Sequence, residues 1–137
     1  MSKLFIDTNI FVSTFDNAKP ATQAKAIAAL VAARDAGHQF VVSTQVLQEL
    51  YNVLTGKLKV DKAVAKHEML LLQRYELVLM VPAILGNAAD LHAQASLSFW
   101  DALIIAAAQF AKCGELWSED LQAGREFGSL KIVNPLV

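Results

Sequence analysis

Along the chain, short unbroken apolar runs alternate with longer stretches in which apolar residues recur every three to four positions. Leu4-Phe5-Ile6, Phe40-Val41-Val42 and Leu77 to Val81 are runs of strand length with no polar alternation. That is the pattern of strands buried on both faces of a parallel sheet. Leu116-Trp117 and Leu130 to Val133 supply two more. Between them the helical period predicts helices over Pro20 to Ala36, Thr44 to about Thr55, Asp61 to Tyr75, Ala83 to Ser96, and Ser98 to Cys113. Punctuation supports these bounds. Pro20 sits in a first turn, Gly37 lies just past an end, Ser43 or Thr44 is placed to cap a start, and Gly114 follows the last helix. Val46, Leu47, Leu50, Val53 and Leu54 form one stripe, whereas Ser98 to Cys113 is apolar almost all the way round and should be deeply packed. Strands alternating with helices predict an α/β fold around a mostly parallel sheet of four to five strands, with residues 121–129 as a loop.

Length and charge narrow this picture. At 137 residues the chain has room for a single domain, residues 1–137, and for no second one. Its hydrophobic fraction of 55% exceeds what such a domain needs internally and leaves surface for an oligomer or partner. A net charge of −1 means that contact with a polyanion must come from a local patch. Cys113, the only cysteine, excludes an internal disulfide or a multi-cysteine zinc cage, so a reducing, cytoplasmic setting is expected. No stretch reads as a signal peptide or membrane span, and no membrane role is expected.

The candidate chemistry begins at Asp7, the only acid in an otherwise apolar run, followed at once by Thr8 and Asn9. A lone carboxylate in such surroundings is costly unless something neutralises or coordinates it. Asp7 follows the first strand, and Glu119 and Asp120 follow Leu116-Trp117, so both segments stand where open α/β sheets bind ligands. Asp101 opens the apolar helix, and Glu49 lies one turn into the helix after the second strand. Each acid alone also admits a plain structural reading. Ser98-x-x-Asp101 matches a capping box, Asp7 can cap a short helix over Ile10 to Phe15, Glu49 can be a solvated helix acid, and Glu119-Asp120 can be a polar turn. Acids drawn to one spot repel unless a cation holds them ionised, and a hard divalent ion, Mg²⁺ or Mn²⁺, suits oxygen donors. His38, His67 and His92 lack zinc spacing.

FIDTNIFV, VLQELYNVL, FWDALIIAAA and LWSEDLQAGREFGSLKIVNP, in that order, make the whole chain resemble the PIN-domain ribonucleases, most closely the VapC-type toxins of bacterial toxin–antitoxin modules. The resemblance implies an α/β/α sandwich and a four-acid site on Asp7, Glu49, Asp101 and Asp120, with Glu119 the alternative for the fourth acid. It also implies Mg²⁺- or Mn²⁺-dependent hydrolysis of RNA phosphodiesters, leaving 5′-phosphate and 3′-hydroxyl ends. Asp7 and Asp101 would hold the principal ion, Asp120 would support it or complete a second, and Glu49 would orient or deprotonate water. Thr8, Asn9 and Ser118 would hold the carboxylates in place. A small cognate antitoxin that blocks the site is the implied partner, and the apolar surplus makes a homodimer plausible.

For substrate grip, Lys57, Lys59, Lys62, Lys66 and Arg74 form a candidate phosphate patch, against the reading of a solvated helix face. Trp100 could stack a base, although core or dimer interface is the default for such a residue. Other α/β classes fit worse. A haloacid-dehalogenase-type phosphatase needs an acid where Asn9 stands, a receiver domain needs an Asp where Val81-Pro82 stands, and no G-x-G-x-x-G is present. The remaining rival is a non-catalytic RNA- or protein-binding module of the same fold.

Overall fold

The structure, a computed structural model, describes residues 2–137. Six strands form one sheet: β1 (Lys3–Ile6), β2 (Gln39–Ser43), β3 (Glu76–Val78), β4 (Glu115–Trp117), β5 (Glu126–Phe127) and β6 (Leu130–Val133), in spatial order β3-β2-β1-β4-β6-β5. All pairings are parallel except β5 with β6. Leu4, Phe5 and Ile6 are all buried, as are Phe40, Val41 and Val42. Successive strand residues point to opposite faces, so unbroken burial means that helices cover both sides. They are α1 (Thr8–Ser13), α2 (Pro20–Asp35), α3 (Thr44–Gly56), α4 (Lys62–Leu71), α5 (Pro82–Gln94) and α6 (Phe99–Phe110). α1 packs on α2 and α3, α3 on α4, and α5 on α6, giving helical layers around a central, mostly parallel sheet. Among the described residues no helix is long and apolar enough to cross a membrane.

Several boundaries depart from the sequence pattern. The sheet has six strands rather than four to five, because Glu126-Phe127 folds back on Leu130-Lys131 through Gly128-Ser129, with Gly128 at φ +62°. The third strand stops at Val78. Beyond it the Met80 N–H donates to Thr44 Oγ1 (3.3 Å) instead of extending the ladder, and Leu79 is 59% exposed. The helix expected through Tyr75 ends at Leu71 and tightens into a 3-10 turn over Leu72–Arg74, which lets the Tyr75 ring pack edge-on to Phe40 at 5.2 Å.

Helix α2 ends as anticipated. Gly37 adopts φ +86°, its N–H reaches Arg34 O and that of His38 reaches Ala33 O, the paired bonds of a left-handed C-terminal turn. α6 ends the same way but earlier than expected. Lys112, at φ +60°, takes the left-handed position in place of Gly114, with Lys112 N bonded to Gln109 O and Cys113 N to Ala108 O.

The chain runs from β1 outward through β2 to β3, then returns to place β4 on the other side of β1. The strand order therefore reverses between β1 and β4, which is where an open α/β sheet offers a crevice at its carboxyl edge.

Candidate active site

At that reversal the Asp7 N–H bonds to Trp117 O (2.9 Å) and the Ser118 N–H to Val133 O (3.0 Å), so the ends of β1 and β4 deliver Asp7 and Ser118 side by side. Asp7 then caps α1. Its Oδ1 accepts the Thr8 N–H at 2.7 Å, and its Oδ2 accepts the Ser118 hydroxyl at 2.9 Å. Asp7 is only 7% exposed, and burial pushes its carboxyl up to about 6. The Ser118 and Thr8 donors oppose that rise, while the nearby Glu49 and Asp120 carboxylates add to it.

Asn9 stands between two of the acids. Its Nδ2 lies 3.3 Å from Asp7 Oδ2 and 3.1 Å from Asp120 Oδ2, and its Oδ1 accepts the Glu119 N–H at 3.2 Å. An amide donor shared between two carboxylates lessens their mutual repulsion without neutralising it. Ser118 Oγ also accepts from the Asp120 and Leu121 N–H groups, fixing the turn that carries Glu119 and Asp120. Asp120, rather than Glu119, is bonded through its side chain to the Asp7 network.

On the opposite wall, Glu49 is half-buried. Thr8 donates its hydroxyl to Glu49 Oε1 at 2.7 Å, and Gln45 Nε2 lies 3.3 Å from Glu49 Oε2. Helix α6 brings Asp101. Ser98 caps this helix by accepting the Asp101 N–H at 3.1 Å, but the reciprocal bond of a capping box is absent among the described residues. Asp101 is half-buried, and its carboxylate accepts no hydrogen bond among the described residues.

Asp7, Glu49, Asp101, Glu119 and Asp120 all line one cleft of about 520 Å³. Lys57 and Trp100 line it as well, whereas Lys59, Lys62, Lys66 and Arg74 do not. Trp100 is 64% exposed, which overturns its reading as a core residue. It sits at the start of α6, beyond the buried segment Ala102 to Ala108, with its ring edge-on to Phe99. Sequence reasoning passed over Lys19, Gln45 and Asn52, which also line the cleft. For Gln45 there was a signal, since it precedes Glu49 by one helical turn and shares its face.

The donor chemistry of this cleft fits a hard divalent ion. Its carboxylates, hydroxyls and amides offer oxygen donors, burial raises the Asp7 carboxyl to about 6, and the ion pairs among the described residues, Lys3–Glu76 and Arg34–Asp35, lie elsewhere. Among the described residues no three histidine, cysteine or acidic side chains are placed to hold a metal ion together. Mg²⁺ does not need such a set, because it commonly keeps several waters and takes one or two carboxylates.

The family model described as PIN domain matches residues 4–125. No curated protein sequence matches the chain. Among solved structures, a toxin–antitoxin complex from Klebsiella pneumoniae aligns with TM-score 0.72 at 20% identity, over 96% of this chain and 97% of the other. VapC20 of Mycobacterium tuberculosis, a toxin that cleaves the sarcin–ricin loop, aligns with TM-score 0.65 at 20% identity, over 82% and 86% of the two chains. VapBC2 from Rickettsia felis, bound to a fragment of its promoter DNA, aligns with TM-score 0.68 at 19% identity, over 96% and 98%.

Proposed function

The chain belongs to the PIN domain family, and from that premise we propose that it is a Mg²⁺- or Mn²⁺-dependent endoribonuclease acting as the toxin of a toxin–antitoxin pair. One observation carries the reading: four acids from separate segments, Asp7, Glu49, Asp101 and Asp120, line a single cleft at the strand-order reversal, and among the described residues no basic side chain forms an ion pair with them.

Asp7 and Asp101 would hold the ion, with Asp120 in support. The chemistry such an ion supplies when bound is Lewis acidity toward the scissile phosphate and toward water. Glu49, gripped through both carboxylate oxygens, orients the attacking water and accepts its proton. Ser118 and Thr8 keep Asp7 in one rotamer, so the carboxylate need not reorganise as charge develops. Lys57 at the cleft draws in the phosphate backbone, and Lys59, Lys62 and Lys66 extend that attraction beyond it. Trp100 offers a solvent-facing ring beside Asp101 on which an unpaired base stacks.

The partners follow the same line. One aligned structure is a toxin–antitoxin complex and another is VapBC2 on its promoter DNA, which supports a small antitoxin as the inhibitor. Leu79, Val81 and Leu85 are exposed apolar residues around the start of α5, which supports a homodimer.

The test is cleavage of single-stranded and structured RNA in Mg²⁺, in Mn²⁺ and in chelator. Cleavage is expected with either metal and none with chelator. Equal cleavage in chelator removes the metal from the account, and no cleavage of any RNA favours the non-catalytic binding module.

A further inference from the structure

We propose that Gln45 is a positioning residue that fixes the Glu49 carboxylate for catalysis, an inference that rests on the nuclease reading above. Gln45 is the second residue of α3 and only 6% exposed. Its Nε2 lies 3.3 Å from Glu49 Oε2 and 3.2 Å from Trp100 O. Glu49 Oε1 meanwhile receives the Thr8 hydroxyl at 2.7 Å. The carboxylate is thus held on one side by α1 and on the other by its own helix. The same amide ties α3 to the first turn of α6, where Asp101 follows Trp100.

The orientation of the amide is set by its partners. Both are oxygen acceptors, so the NH₂ end must face them and Oε1 must face away. Gln45 Oε1 is buried, and no protein group among the described residues donates to it. A buried acceptor without a donor lowers stability, and an apolar side chain of the same length would fill the space without that penalty. The two bonds that Nε2 donates and the undonated Oε1 work against each other, so conformational stability gives little net reason for a glutamine here. Control of the Glu49 rotamer gives one, because catalysis is sensitive to sub-ångström placement of the group that handles the water.

The rival is a plain strap between α3 and α6, and Gln45→Met separates the two. It keeps the length of the side chain and removes both donors and the orphan acceptor. Positioning predicts that kcat on RNA falls about 10- to 100-fold with KM within about twofold, while the melting temperature stays level or rises. In a Glu49→Gln background, adding Gln45→Met should change kcat less than about twofold, since its target is already gone. An unchanged kcat in the single variant, the same fractional loss in both backgrounds, or a fall of more than about 6 °C in melting temperature overturns the proposal. A wild type that cleaves no RNA brings down the nuclease reading, and this inference with it, before any variant is compared.

Discussion

Asp7→Asn is expected to lower RNA cleavage by about 10³-fold and, in the absence of metal, to fold more stably than the parent at pH 8. Both effects come from the same burial. An aspartate in the unfolded chain ionises near its model value of 3.8, whereas in the fold Asp7 keeps its proton to about 6. A raised folded-state value means that this group's contribution to stability is complete below about pH 4 and is lost as the pH climbs through 6. Above that range the buried charge costs the metal-free protein about 3 kcal/mol, from a displacement of about two pH units at 1.36 kcal/mol each. Asparagine carries no charge, so the two unfolding curves should nearly coincide at pH 4 and separate by about 2 to 3 kcal/mol at pH 8. Urea denaturation in chelator across that range makes the measurement, and a constant difference between the two proteins would contradict the assignment. Adding Mg²⁺ at pH 8 should restore the wild type and shift the variant less, because the ion offsets the buried Asp7 charge and asparagine offers it no charge to offset.

Asp101→Asn should cost about 10²- to 10³-fold in cleavage while altering stability by no more than about 1 kcal/mol. The backbone N–H of residue 101, which bonds to Ser98 Oγ and caps α6, survives the change. The carboxylate makes no hydrogen bond within the described residues, so the fold gives up only its interaction with the positive end of the helix. Had Asp101 been the acid of a complete capping box, the pattern would be inverted, with activity kept and stability reduced by about 1 kcal/mol. Steady-state kinetics and urea unfolding on one preparation distinguish the two.

Some of this was legible in the residues and some was not. Asp7 stood out because an apolar run of strand length tolerates no idle carboxylate, and the strand ends told where a cleft would form. Glu49 was different. Nothing in its local pattern separates it from a solvated helix acid, and its place depended on resemblance until Thr8 and Gln45 were seen gripping it. Trp100 misled because periodicity reports the middle of α6, where Ala102 to Ala108 are buried, and not the end that projects past the sheet. The two-residue strand β5 is too short for any hydrophobic period, although Gly128-Ser129 between Phe127 and Leu130 was a hairpin signal. Leu79 to Val81 is as apolar as a strand, yet it leaves the ladder because β3 is an edge and the chain must turn toward Pro82. Of the lysine-rich middle segment only Lys57 reaches the cleft, since side-chain direction on a helix follows packing that charge counting does not see.

The central claim is that these acids share a cleft because a hard dication belongs among them. Anomalous diffraction from crystals soaked in Mn²⁺ at neutral pH tests it most directly. The account predicts a manganese peak in the cleft with Asp7 and Asp101 as ligands, absent from Asp7→Asn crystals soaked in the same way; a cleft with no manganese at saturating concentration, or an ion bound only on another surface, would contradict it.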